Sequence, residues 1–288
     1  MSKFCPVYPQ PKKSKLARWK MFFSAQQSWL DGLYERSYQM HMGEVQLPGS
    51  KLYMVNQPDL VRKVLVDDVA NYPKHSMLGK ALEPLLGQSI FTTNGMLWKR
   101  QRSMMNPAFE QARMTVAFPR MREAALAMLE RMAKASKHAP YDVDAEMTLV
   151  TADIIFRTIF TLPITSASAH KVFAAFAAYQ NLTPKISLPT LYGLGWLVPF
   201  WTRRKSQRVA QEIREELAAL IRPRFEAARQ QADDSSSAGE DILGALLAAK
   251  DEHTGEGFEF EELLDQVAML FLAGHETSAS ALSWALHL

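Results

Sequence analysis

Apolar and polar residues alternate over Val45-Gln46-Leu47 and again over Lys51-Leu52-Tyr53-Met54-Val55, with Pro48-Gly49-Ser50 between the two runs. Alternation of period two around a Pro-Gly turn predicts a short β-hairpin. From Pro58-Asp59 the period lengthens, and Leu60, Val61, Val64, Leu65 and Val69 fall along one side of a helix. Helical spacing or strong helix formers then fill residues 115–137, 143–161, 166–181, 203–231, 240–250 and 258–288. The pattern predicts a mainly α protein with a small β-sheet. Gln230 to Glu240, rich in Ser and Asp, reads as a connector between two helices, and no repeat of solenoid period occurs.

The last helix begins among Glu259, Glu261, Glu262 and Asp265, where the helix dipole favours anions. Its other end, Leu282-Ser283-Trp284-Ala285-Leu286-His287-Leu288, has neither a Gly cap nor a following Pro. The exposed end of an apolar helix needs a partner, so the expectation is a chain cut short.

With 48% apolar and 22% charged residues in 288, composition is that of an ordinary folded protein, and the length fits one large domain or two small ones. The fifteen methionines read mostly as filler of irregular cores. A net charge of +3 gives no case for a nucleic-acid partner. Cys5 is the single cysteine, so no internal disulfide forms and a reducing, cytoplasmic setting is expected. Residues 1–30 lack the uninterrupted apolar core of a secretory signal. They read as a basic, flexible segment: Lys3, Lys12, Lys13, Lys15, Arg18 and Lys20 occur with no acid, and Trp19, Phe22, Phe23 and Trp29 follow. Such a segment also suits an anionic membrane surface, and both readings stay open. Pro184 to Thr202 is apolar but broken by Pro189, Gly193, Gly195 and Pro199, a poor spanning helix. It either packs on the protein or dips into lipid, with Arg203, Arg204 and Lys205 at the headgroups.

Two constellations carry chemistry. Within the last helix, Ala273-Gly274-His275-Glu276-Thr277-Ser278 sets two small residues one turn from a hydroxyl, with a carboxylate beside it. Glycine costs about 1 kcal/mol in a helix interior, so it asks for a reason: close approach of a flat ligand, or a helix–helix crossing. Thr277 can bond a carbonyl one turn earlier. His275 reads as facing a polar neighbour rather than a metal. A zinc-protease reading of His-Glu fails because the second histidine would fall at Ala279. Upstream, Trp98-Lys99-Arg100-Gln101-Arg102 precedes Asn106-Pro107-Ala108-Phe109. On a helix Trp98 and Arg102 point the same way, and an indole N–H beside a guanidinium fork suits a carboxylate. A buried Trp with a solvated Arg is the plainer alternative. Lys99 and Arg100 read as solvated, or as part of a basic patch for an acidic redox partner.

Residues 273–278 resemble the long-helix signature of cytochromes P450, small-Gly-x-acid-Thr-Ser/Thr, and Trp98 to Arg102 resembles that family's Trp-x-x-x-Arg. Glu240 to Leu247 resembles the short helix before the long one, and residues 45–69 resemble the first sheet and helix. The resemblance covers all but the first thirty residues. It implies the cytochrome P450 fold, haem b with its iron, and a monooxygenase that inserts one oxygen atom from O2 into an apolar organic substrate. Electrons would come from NAD(P)H through a ferredoxin or flavin reductase. It implies that Thr277 hydrogen-bonds oxygen at the iron and Glu276 relays protons. Ala273 and Gly274 would open room for O2, and Trp98 and Arg102 would hold a haem propionate. The family's Phe-x-x-Gly-x-x-x-Cys-x-Gly loop, whose thiolate ligates the iron, is absent, and Cys5 is followed by Pro6. Glu110 to Arg113 and Glu226 to Arg229 match the family's Glu-x-x-Arg string but precede the long helix. The expectation is an N-terminal part of the domain, truncated before its cysteine loop, inactive alone and unable to hold haem stably. Alternatives are a non-catalytic helical binding or membrane-surface protein, a pseudo-enzyme, and a haem sensor using His275 or His287.

Overall fold

The computed structural model describes residues 35–47, 50–135, 141–182, 200–230 and 241–287. The expectations placed on residues 1–30, 184–199 and 231–240 lie outside them. The chain divides into two compact units, Met1–Pro73 with Asn181–Ser206, and Lys74–Gln180 with Gln207–Leu288.

In the first unit α1 (Glu35–Gln39) leads into the hairpin of β1 (Met42–Leu47) and β2 (Ser50–Val55). The strands pair antiparallel from Met42 opposite Val55 to Leu47 opposite Ser50. The Asn56 side chain donates to the carbonyls of Ser37 (2.8 Å) and Met40 (2.9 Å), fastening the hairpin's end to α1. The predicted helix from Pro58 is shorter than its pattern. It runs as α2 (Pro58–Arg62), with proline in its first turn, then widens into a π-turn over Lys63–Asp67 and a 3-10 turn over Val69–Asn71. The change of pitch turns Leu65 outward, 69% exposed, away from the side expected for it.

The second unit is helical. Its elements are α3 (Ser76–Leu86), α4 (Gly95–Met105), a 3-10 turn (Asn106–Phe109), α5 (Gln111–Lys134), α6 (Val143–Phe160), α7 (Ala167–Leu182), α8 (Phe200–Gln230), α9 (Ile242–Ala248) and α10 (Phe260–His287). Parts of α7 and α8 belong to the first unit. Local chemistry sets the boundaries. Asp142 caps α6 by accepting from the Ala145 N–H at 3.0 Å, and α6 ends at Thr161 in the left-handed conformation. Asp241 caps α9 by accepting from the Gly244 N–H at 2.8 Å, while Arg224 grips both its oxygens. Burial pushes the Asp241 carboxyl up, but Arg224, Gly244 and Thr161 outweigh it and hold the group below its ordinary value.

α10 packs along α6. Ser283 donates to Asp144 (3.1 Å) and Thr151 to the His275 carbonyl (2.9 Å), so the two helices run antiparallel. Phe271 sits at their crossing, its ring centroid 4.8 Å from Phe156 and 4.3 Å from Phe176. With Ile159, Leu217, Ile221, Leu246 and Val267 these rings form the main core.

Candidate functional site

Position along α10 decides what each residue of the 273–278 motif faces. His275 is buried at 1% exposure. Its Nδ1 lies 2.9 Å from the Phe271 carbonyl, and its Nε2 lies 3.3 Å from Gln180 Nε2 on α7. A carbonyl only accepts, so Nδ1 carries the proton and Nε2 accepts from the Gln180 amide. Burial holds the imidazole below its ordinary pKa, and it is neutral. Both nitrogens are engaged within the protein, as befits the polar neighbour expected for this residue, and His275 is no free ligand for a haem iron. His287, the other candidate, lies edge-on to Trp284 with ring centroids 5.7 Å apart.

Ala273, Glu276 and Thr277 fall on the exposed side. Thr277 Oγ1 donates to the Ala273 carbonyl at 2.7 Å, the bond one turn back that its position allows. The exposed side therefore presents a methyl, a carboxylate and a hydroxyl whose lone pairs remain available. Gly274 is turned toward α6, where a Cβ would meet Ile155 Cδ1 at 2.5 Å. A helix crossing accounts for this glycine.

Trp98 and Arg102 lie one turn apart on α4, Trp98 half-buried and Arg102 exposed. Neither the indole N–H nor the guanidinium is hydrogen-bonded to another described residue. Lys74 stands over the Trp98 ring, its Nζ 5.1 Å from the centroid, and donates to the Thr93 carbonyl at 2.7 Å. Burial lowers the Lys74 pKa. The sequence pattern gave no sign of Lys74, because it precedes α4 by more than twenty residues and belongs to no motif. Two donors without acceptor capacity, not hydrogen-bonded to other described residues and with Lys74 over the Trp98 ring, fit an anionic group such as a propionate.

Arg100 departs from expectation. Its Nη1 donates to Glu262 Oε1 at 2.7 Å and its Nε lies 3.3 Å from Asp251 Oδ2. The bond to Glu262 raises the arginine's pKa. Arg100 is an internal tie between α4 and the start of α10 rather than a solvated cation offered to a partner. Gln101 accompanies it, fully buried. It donates to the Gln88 carbonyl (2.7 Å) and to Glu262 (3.0 Å), and accepts from Thr93 (2.9 Å). The first turns of α10 thus hold the loop before α4. Asp265 accepts from the Gln88 N–H at 2.7 Å and from Arg214 at 2.6 Å, and Gln266 accepts from the Ile90 N–H at 3.0 Å. The acids at this helix start act through specific bonds as well as through the dipole. Helical rise puts Thr277 about 22 Å along α10 from Glu262, so the 273–278 motif lies near the middle of α10 while the ties to α4 are at its start. Among the described residues no group of three or more His, Cys, Asp or Glu is placed to hold a metal ion.

A family model for cytochrome P450 matches residues 9–288. Similar proteins include cyclooctatin synthase of Streptomyces melanosporofaciens, 30% identical over 254 residues, with 84% of this chain and 50% of that protein covered. Cyclooctat-9-en-7-ol 5-monooxygenase of the same organism is 30% identical over 247 residues, covering 85% and 50%. The chain spans about half the length of these relatives. The crystal structure of the cytochrome P450DA heme domain is similar with a TM-score of 0.67 at 23% identity, covering 88% of this chain and 53% of that one, a likeness of fold. Matched over nearly its whole length by the family model and sharing the helical fold of a P450 heme domain, the chain belongs to the cytochrome P450 family.

Proposed function

We propose that this chain supplies the distal helix and the propionate-binding pair of a haem-dependent monooxygenase acting on an apolar organic substrate. The observation that carries the proposal is the division of labour on α10. His275 and Gly274 are turned inward to secure the helix, and Ala273, Glu276 and Thr277 are left on the open side. Haem held by a cysteine thiolate supplies the activation of O2 in such enzymes. The residues of this chain would help to hold that group and to deliver protons. Trp98 and Arg102 bind a carboxylate of the group through an indole N–H and a guanidinium fork. Ala273 leaves room over the helix. Thr277 holds a proton at Oγ1, shared in this state with the Ala273 carbonyl, and can turn it outward by rotating about its Cα–Cβ bond. Glu276, exposed beside it, takes protons from solvent and passes them toward that hydroxyl.

The only cysteine, Cys5, is not set in the family's ligand loop. On this reading the chain is part of a longer P450 and inactive alone, the thiolate coming from the remainder. Electrons would come from NAD(P)H through a ferredoxin or flavin reductase, in a cytoplasmic setting. No described helix is long and apolar enough to cross a membrane. The mechanism is tested by Thr277→Ala in a protein that joins this chain to a cysteine loop. Coupling of electron consumption to product should fall and peroxide release should rise; unchanged coupling would refute the role of Thr277.

A further inference from the structure

We infer that Gln101 and Glu262 are positioning residues that fix the rotation of α4 about its own axis and so aim Trp98 and Arg102 at their carboxylate. The inference rests on the carboxylate reading of that pair. Gln101 lies between the two donors in sequence and is fully buried, where an apolar side chain would suffice for packing. Its amide is instead bonded in three directions, to Gln88, Thr93 and Glu262. A satisfied buried polar hub adds little net stability over apolar packing, and its best-attested use is to select one register among several. Here the register is rotational. Successive helical residues lie about 100° apart, so Gln101 facing inward puts Arg102 outward.

Glu262 is the anchor on the other side. One oxygen, Oε1, accepts from both Gln101 and Arg100. Arg100 is tied in turn to Asp251, which accepts from the His253 and Thr254 N–H groups at 2.9 Å each and is thereby fixed in a turn. Rolling α4 would break these bonds together. The pair's aim is therefore referred to α10, the element that carries Glu276 and Thr277.

Metal-free protoporphyrin IX and its dimethyl ester, which lacks the carboxylates, are titrated against the chain by porphyrin fluorescence. Wild type should bind the diacid weakly but more tightly than the diester, and Arg102→Ala should abolish that preference. Gln101→Leu should lower diacid affinity about tenfold, roughly one charge-assisted bond, and leave diester affinity unchanged. General unfolding would weaken both ligands alike. Glu262→Gln, which keeps side-chain size, carries the test if Gln101→Leu does not fold. A wild type without preference, or an Arg102→Ala variant that keeps it, overturns the carboxylate reading and the inference with it. Loss of preference in Arg102→Ala with full preference in Gln101→Leu and Glu262→Gln overturns the positioning role alone.

Discussion

Ile155 of α6 projects its δ-methyl to within 2.5 Å of the place a Cβ on Gly274 would take. The small residue inside the family motif is thus demanded by the neighbouring helix. A larger side chain must displace Ile155 or push α10 off α6.

Gly274→Val should therefore destabilise the chain by about 1–3 kcal/mol through overpacking. Combining it with Ile155→Ala should cost less than the sum of the two single changes, because the pair is in contact. Urea denaturation of the four proteins measures the coupling, and strict additivity would refute the contact.

Gly87 has φ +45°, and a Cβ there would collide with the Asp265 carboxylate, which Arg214 and the Gln88 N–H hold in place. Gly87→Ala should cost about 2 kcal/mol or more, combining backbone strain with the clash. Thermal unfolding of the variant reads this directly.

His275 should make stability pH-dependent. Burial lowers its pKa below 6.5 in the folded chain. Below that value the unfolded chain takes up a proton that the folded chain refuses, so stability is full above pH 6.5 and declines as pH falls through it. The decline stops below the lowered folded pKa. Urea midpoints between about pH 7.5 and about pH 5.5 should fall for wild type, and less steeply for His275→Gln.

Ser89 is fully buried, and its Oγ has no hydrogen-bond partner among the described residues. An unmatched buried hydroxyl is a cost, so Ser89→Ala should be neutral or stabilising by up to about 1 kcal/mol. A clear loss of stability would point to a partner for this hydroxyl.

Much of the fold was legible in the sequence because it is written in periodicity. The hairpin and the helices from Gln111 onward follow runs of apolar spacing, and the observed ends fall within a few residues of those expected. The break after Arg62 was not legible, since a π-turn keeps helical composition while changing pitch. At the site, the motifs marked candidate residues, and His275 met the polar neighbour expected for it, Gln180. Tertiary partners were hidden. Arg100 looked like a solvated cation because Asp251 and Glu262 lie some 150 residues or more away in sequence. Lys74 belongs to no motif, and Gly274 could not reveal whether a ligand or Ile155 required it.

The most direct test of the account is a spectral titration of the purified chain with haem, alone and with carbon monoxide after reduction. Weak, saturable binding that Arg102→Ala weakens further is expected, with no thiolate-type carbonyl spectrum. A tight one-to-one complex showing that spectrum would contradict it, because the chain would then provide the axial ligand that the account assigns to the remainder of a longer protein.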